Sequence, residues 1–170
     1  MKNILRFLGI FIFIMVIGTG YLFAGEESSE SSKTSSYIKP TYSVGFITGS
    51  FENESNTFTN LMLDVDFVVA GGLTFGLQNA MSWKTGIGLF NLINFGIGYT
   101  YNADGWSVGG KVMSIPNEFL DGGMGFDFNG TYWVKDNIGI TGGMSILFGL
   151  GMFDWNFFGL RVGLSAKFGN

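Results

Sequence analysis

The sequence predicts an all-β fold: a closed, eight-stranded, antiparallel transmembrane β-barrel with up-and-down topology, preceded by a signal peptide. Eight successive stretches alternate apolar residues with small or polar ones, and turn residues separate them. Successive side chains of a strand point to opposite faces, so each stretch has one apolar and one polar face. The apolar set is too large to be the inside of one small domain. This pattern is typical of a barrel with lipid outside and a polar lumen.

The N-terminus, residues 1–24, has the features of a cleaved signal peptide. Lys2 and Arg6 supply positive charge, an almost unbroken apolar run follows, and Ala24 precedes a polar stretch. The alternative is an uncleaved signal anchor, because the apolar run is nearly long enough to span a bilayer. Residues 25–36 are a low-complexity stretch of Ser, Glu, Lys and Thr after Gly25, and they predict a disordered polar linker. The barrel would then occupy residues 37–170.

The eight predicted strands are each long enough to cross a bilayer at a tilt. The eighth is the clearest, since Leu160, Val162 and Leu164 alternate with Gly159, Arg161 and Gly163. The strands are predicted at 38–49, 57–70, 73–83, 86–101, 106–115, 122–134, 138–150 and 157–168.

Turn chemistry and connection length predict the orientation. Short turns are expected at Gly71-Gly72, at 102–105 and at 135–137, and longer links at 50–56, 114–121 and 151–156. Outer-membrane barrels have short periplasmic turns and longer outer loops, so both termini would be periplasmic. Outward aromatic residues should then form girdles at both rims: Tyr99, Tyr101, Trp106, Tyr132 and Phe168 at the periplasmic rim, and Phe46, Trp83, Phe148 and Phe158 at the outer rim.

Composition excludes several function classes. Charged residues make up 13% of the 170, about half the usual share for a soluble domain. The absence of cysteine excludes a disulfide framework and a thiolate metal site, and the absence of histidine removes the commonest general base and metal ligand. Losing Lys2 and Arg6 with the signal would change the formal charge from −4 to −6, which offers nothing to nucleic acid. No cofactor, metal or catalytic residue is predicted.

The pattern resembles the small eight-stranded outer-membrane proteins of the OmpA, OmpX and OmpW kind over nearly all of the mature chain. It is a resemblance of architecture rather than of a diagnostic motif. Such proteins commonly end in an aromatic residue, whereas here Gly169 and Asn170 follow Phe168. The resemblance implies a structural anchor, an adhesin or a small hydrophobic-solute channel, and the architecture does not choose among them.

Charged residues on the inward faces predict an ion-pair belt in the lumen. Its expected members are Asp64, Asp66, Lys111, Asp127 and Arg161, and Lys39 and Lys167 also face inward. The hairpins should place Asp64 opposite Gln78 and Lys111 opposite Asp127. A buried charge without a partner costs several kcal/mol, so mutual pairing is expected. Such a belt could be a structural plug, or it could be a gate or ion path.

Apolar residues on the inward faces near the outer end predict a cup above the belt. Its expected members are Phe58, Met62, Phe90, Leu92, Met113, Leu147 and Phe157, together with Ile115. The cup could be a packed stopper, or the entrance for a small hydrophobic molecule.

The functional prediction is an integral outer-membrane protein with a largely plugged lumen and a structural or surface-exposed role. Its expected partner is the lipid of the outer membrane. The alternative is a narrow passage or binding site for a small hydrophobic molecule in the apolar cup. An eight-stranded barrel is just wide enough for side chains to fill it, so neither a general porin nor an enzyme is expected. Asp64 and Asp66 lie two residues apart on one strand face, a geometry that would permit acid–base chemistry by paired carboxylates, but a narrow lumen leaves little room for a substrate.

Overall fold

The structure, a computed structural model, describes residues 35–51, 54–84, 88–116, 122–149 and 155–169. The predicted signal peptide and nearly all of the predicted linker lie outside these residues, so both stay predictions. Within the described ranges, no helix is long and apolar enough to cross a membrane.

The described chain folds into a closed antiparallel barrel in which each strand pairs with its sequence neighbours. The strands are β1 (Tyr37–Phe51), β2 (Glu54–Val68), β3 (Leu73–Lys84), β4 (Gly88–Ala103), β5 (Trp106–Ile115), β6 (Gly123–Lys135), β7 (Ile138–Gly149) and β8 (Trp155–Ala166). Antiparallel pairing of β1 with β8 closes the barrel, from Thr41 opposite Ser165 to Phe51 opposite Trp155. The predicted fold class is therefore confirmed as a closed eight-stranded antiparallel barrel.

Three hairpin turns lie at the end of the barrel that carries Tyr37 and Ala166, the start of β1 and the end of β8. Gly71 and Gly72 have φ values of 88° and 91°, and Gly105 has φ of 74°, conformations that favour glycine. Asp104-Gly105 is a two-residue loop between β4 and β5, as expected from its turn chemistry. We call this end the turn end, and the opposite end the loop end.

Only the first of the three links predicted to be long is much shorter than expected, and that part of the prediction is wrong. The other two are close to their predicted lengths, since β5 ends at Ile115 and β6 begins at Gly123, and β7 ends at Gly149 and β8 begins at Trp155. β1 and β2 stay paired through Ser50 opposite Ser55 and Phe51 opposite Glu54, so most of 50–56 is strand. β8 likewise begins at Trp155, two residues before its predicted start. Most residues of 50–56 are polar, which is typical of a loop. Backbone hydrogen bonding between β1 and β2 nevertheless continues through them, because strand pairing does not require apolar side chains.

The alternation of the strands places apolar side chains outward. On β8, Leu160, Val162 and Leu164 are 40%, 56% and 63% exposed, whereas the side chain of Arg161 between them is buried. In the described part of each of the other strands, large apolar side chains on the outward face are likewise exposed. The predicted rim aromatics Tyr99, Tyr101, Trp106, Tyr132 and Phe168 are all exposed near the turn end. At the loop end Phe46, Trp83 and Phe158 are exposed and Phe148 is partly buried.

Candidate functional site

The lumen contains a belt of six charged side chains, three positive and three negative: Lys39, Asp64, Asp66, Lys111, Asp127 and Arg161. We call this set the charge belt. All six side chains are at most 5% exposed. The belt is therefore neutral as a whole and shielded from water, which is the condition under which ion pairing is strongest and an unpaired charge most costly.

Lys111 is the centre of one half of the belt. Its Nζ lies 2.9 and 3.0 Å from the two carboxylate oxygens of Asp64 and 2.5 Å from Oδ1 of Asp66. Lys111 is on β5 and both aspartates are on β2, with β3 and β4 between them in the barrel. These ion pairs therefore cross the lumen and tie together strands that share no backbone hydrogen bonds.

Arg161 is the centre of the other half. Its Nη1 donates to Oδ1 of Asp127 at 2.6 Å and its Nη2 to Oδ2 at 2.8 Å, a two-point contact that matches guanidinium to carboxylate. Ser145, on the strand between them, donates to Oδ1 of Asp127 at 2.7 Å and accepts from Nη1 at 2.8 Å. Strands β6, β7 and β8 are thus linked on the inside by one polar cluster.

Longer contacts join the two halves. Nη2 of Arg161 lies 3.8 Å from Oδ2 of Asp64, and Nζ of Lys111 lies 3.9 Å from Oδ2 of Asp127. Lys39 extends the belt toward the turn end, because its Nζ lies 3.4 Å from Oδ2 of Asp66 and donates to Oδ1 of Asn129 at 2.9 Å.

The belt differs from its sequence prediction in which groups pair. The register places Asp64 opposite Gln78 and Lys111 opposite Asp127, as expected. The close partners, however, lie across the lumen, and Lys111 is farther from Asp127 than from either β2 aspartate. Lys39 belongs to the belt although it was left out of the predicted set. Lys167 does not, since its ammonium lies 4.5 Å from the centre of the Tyr37 ring.

Two inward glycines provide the space that the long belt side chains occupy. A Cβ at Gly76 would lie 2.8 Å from Nζ of Lys111 and 2.9 Å from Oδ1 of Asp66. A Cβ at Gly143 would lie 2.8 Å from Cζ of Arg161 and 2.9 Å from the backbone oxygen of Phe128. The belt geometry therefore depends on residues that carry no charge.

Hydroxyl groups line the lumen between the belt and the turn end. The side chains of Thr41 and Ser165 share a hydrogen bond of 2.6 Å, Ser165 also bonds Thr141, and Thr141 bonds Thr131 at 2.7 Å. This chain of hydroxyls crosses β1, β8, β7 and β6. It satisfies polar groups that would otherwise be buried without partners.

An apolar cluster lies in the lumen toward the loop end, and we call it the apolar plug. Its buried members are Ile47, Phe58, Met62, Ala80, Leu92, Met113, Ile115, Leu147 and Trp155, with Phe157 packed against them. The Phe58 ring lies edge-on to Phe157 at 6.1 Å between centres, and Trp155 lies 5.9 Å from Phe157. The plug contains the predicted cup residues apart from Phe90, whose side chain is outside the described part.

The sequence prediction missed Ile47, Ala80 and Trp155. Ile47 and Ala80 lie at inward positions of predicted strands, so the alternation alone was enough to find them. Trp155 was assigned to a link before β8, and its ring occupies space next to Gly123, where a Cβ would collide with it. The sequence signal that could have found Trp155 is the alternation of β8, which places it on the inward face when extended back by two residues from Phe157.

Neither the charge belt nor the apolar plug contains a cluster suited to a metal ion in the part of the chain that is described. No group of three or more His, Cys, Asp or Glu there could hold a metal ion. Asp64 and Asp66 both face the ammonium of Lys111, so each carboxylate already has a cationic partner. The arrangement suits mutual charge neutralisation rather than proton transfer to a substrate.

Comparison with known proteins gives the same class of fold. No family model and no curated protein matches the chain. Among solved structures, it is similar to Neisserial surface protein A, with a TM-score of 0.56 and 14% identity over 78% of this chain and 97% of that one. It is also similar to Ail, the attachment invasion locus protein of Yersinia pestis, with a TM-score of 0.52 and 9% identity over 79% of this chain and 100% of that one.

A third similar structure is the N-terminal β-barrel domain of Pseudomonas aeruginosa OprF, with a TM-score of 0.51 and 12% identity over 79% of this chain and 98% of that one. At these identities the likeness shows the fold alone. The chain therefore has the architecture of the small eight-stranded outer-membrane β-barrels, and the resemblance found in the sequence is confirmed at that level.

Proposed function

We propose that this chain is an integral outer-membrane protein whose lumen is closed by the charge belt and the apolar plug, and that its role is structural or surface-exposed. The observation that carries the proposal is that the barrel has its apolar side chains outside and its charged side chains inside, the reverse of a soluble barrel. Side chains such as Val162 and Leu164 are more than half exposed, while the charged side chains of the belt are buried. Exposed apolar patches beyond a few hundred Å² are rare on soluble monomers, but lipid covers such a surface.

Closure and strand length support the same proposal. Unpaired backbone groups are very costly in a bilayer, and a closed barrel leaves no open sheet edge. The strands, from 10 residues in β5 to 16 in β4, are long enough for the tilted crossing, which takes about 9–11 residues. The aromatic residues at both ends suit the two interfaces between lipid and water.

The short hairpins and both ends of the barrel lie at the turn end, which we place on the periplasmic side. Export would follow from the signal peptide predicted over residues 1–24. The loop end would then face outward and offer short connections to a partner, which suits a scaffold of the outer membrane better than a large binding surface.

Packing of the lumen favours a plug over the alternative passage for small hydrophobic molecules. The cavity found beside the plug has a volume of about 20 Å³ available to water, whereas ligand pockets usually measure about 300–1,000 Å³. Below the plug, a passage would also have to cross the buried pairs formed by Lys111 and Arg161.

Two valines provide a matched test of membrane embedding. Val162 lies in the middle of β8 and is 56% exposed, and Val134 lies near the turn end of β6 and is 58% exposed. In lipid vesicles, Val162→Arg should lower the free energy of unfolding by about 2–4 kcal/mol and Val134→Arg by about 0–1 kcal/mol, because the cost of an outward charge depends on depth. Equal effects of the two substitutions would contradict embedding.

Cell fractionation tests the location itself. The full-length chain should sediment with the outer membrane, resist carbonate extraction, and migrate differently on a mild-detergent gel before and after heating. Release by carbonate would contradict the proposed function.

A further inference from the structure

A small cavity lies in the lumen between the charge belt and the apolar plug, and several of the residues that line it carry polar atoms without protein partners. Five buried atoms among its lining residues have no hydrogen-bond partner within the described chain: Oδ1 of Asn60, Nε2 of Gln78, Oγ of Ser82, Oδ1 of Asn94 and Nε of Arg161. The four uncharged residues are at most 6% exposed, and the Arg161 side chain is 5% exposed.

Leaving so many polar atoms unpaired would be costly, because each buried donor or acceptor without a partner loses about 1–3 kcal/mol of hydration. Buried side-chain polar atoms are for the most part hydrogen-bonded in native proteins, so their concentration around one cavity points to a ligand. The cavity volume of about 20 Å³ is sufficient for one or two water molecules, since about 10–15 Å³ accommodates one.

The chemistry of the five atoms selects the kind of ligand. Gln78 Nε2 and Arg161 Nε are donors, Asn60 Oδ1 and Asn94 Oδ1 are acceptors, and Ser82 Oγ can act as either. The ligand must therefore both donate and accept hydrogen bonds. A cation could use only the acceptors and an anion only the donors, and the neighbouring charge belt is already neutral without a further ion.

Either orientation of the amides of Gln78 and Asn94 leaves one donor and one acceptor without a protein partner. Asn94 Nδ2 donates to Gln78 Oε1 at 2.9 Å. If both amides rotated by 180°, Gln78 would donate to Asn94 instead, and one donor and one acceptor would still be open toward the cavity.

We propose that this cavity is a structural water site, in which one or two buried waters bridge the amides of Asn60, Gln78 and Asn94 to the guanidinium of Arg161. The bound waters connect the charge belt to the base of the apolar plug. The site belongs to the interior of the folded barrel and does not depend on which membrane surrounds it.

Crystallography of the folded, detergent-solubilised protein at a resolution that shows ordered water tests the site directly. The expected result is density in the cavity within hydrogen-bond distance of at least one acceptor, Asn60 Oδ1 or Asn94 Oδ1, and one donor, Gln78 Nε2 or Arg161 Nε. An empty cavity would overturn the proposal. So would an ion identified by anomalous scattering after a soak in rubidium bromide, which supplies a heavy cation and a heavy anion.

A glycine substitution gives a second test that needs no crystal. A Cβ at Gly159, which lines the cavity, would lie 3.5 Å from the nearest atom, the backbone oxygen of Phe46, so Gly159→Ala fits without collision. If water fills the cavity, the added methyl competes with it, and Gly159→Ala should unfold at a lower urea concentration than the native protein. A midpoint for Gly159→Ala equal to or above that of the native protein would indicate a dry cavity and contradict the proposal.

Discussion

The charge belt and the apolar plug occupy the same lumen and stabilise it by different physical means. The belt connects distant strands through directional contacts, such as the cross-lumen pairing of Lys111 with Asp64 and the two-point contact of Arg161 with Asp127. The plug consists of apolar side chains in van der Waals contact, and such side chains can replace one another as long as their total volume is conserved. Charge balance should therefore control the stability of one half of the lumen, and packed side-chain volume that of the other.

Removing the ammonium of Lys111 should have the largest effect on stability. Lys111→Met leaves two positive groups against three negative ones in a buried belt, so we expect a loss of about 3–5 kcal/mol in the free energy of unfolding. Urea denaturation in lipid vesicles measures it. Lys135→Met, at an exposed position near the turn end, is the control and should change stability by less than about 0.5 kcal/mol.

A compensating substitution sharpens this prediction. Adding Asp64→Asn to Lys111→Met restores charge balance and leaves Lys39 with Asp66 and Arg161 with Asp127. The double variant should therefore be more stable than Lys111→Met alone. If the losses in the free energy of unfolding from the two substitutions simply add, the belt is not an ion-pair network.

Loss of volume in the plug should have the next largest effect. Leu147 is 4% exposed, and Leu147→Ala should cost about 2–5 kcal/mol because it leaves a cavity. A Cβ at Gly125 would lie 2.5 Å from Cδ2 of Leu147, so Gly125→Ala alone should destabilise the barrel. Combined with Leu147→Ala, the same methyl enters vacated space and should cost less than it does alone. An equal cost in both backgrounds would mean that the plug is not close-packed.

Crowding the belt should have a smaller effect. Gly143→Ala places a methyl 2.8 Å from Cζ of Arg161 and 2.9 Å from a backbone oxygen, and we expect a loss of about 1–3 kcal/mol from the forced shift. The measurement is again the urea midpoint, with the open position Gly130→Ala as control. A neutral Gly143→Ala would indicate that Arg161 can move without loss, and that its contact with Asp127 is not tightly held.

The sequence was sufficient to predict the barrel, its strand number and the inward position of the belt residues, because alternation assigns each residue to a face. It could not predict that Lys111 pairs with Asp64 across the lumen. Register along a hairpin determines neighbours, whereas contacts across a barrel depend on how all eight strands close and tilt. Lys39 was recognised as inward, yet its contact with Asp66 depends on the same closure.

The remaining errors concern where strands begin and end. The predicted link 151–156 includes Trp155, whereas β8 begins at this residue, two positions before the predicted strand. The five polar atoms around the lumen cavity could not have been identified from sequence, since only the packed arrangement shows which donors and acceptors lack partners.

Two tryptophans near the same end of the barrel can test directly whether lipid surrounds the outside while side chains fill the lumen. Trp83 is 41% exposed on the outward face of β3, and Trp155 is 2% exposed inside the plug. Single-tryptophan variants, with the other three replaced by Phe, would be folded into vesicles containing brominated lipids, which quench fluorescence on contact. We expect strong quenching of Trp83, and little quenching of Trp155 by lipid bromine or by aqueous acrylamide. Equal quenching of both by the lipids, or quenching of Trp155 by acrylamide at the rate of an exposed side chain, would contradict a lipid-embedded barrel with a filled lumen.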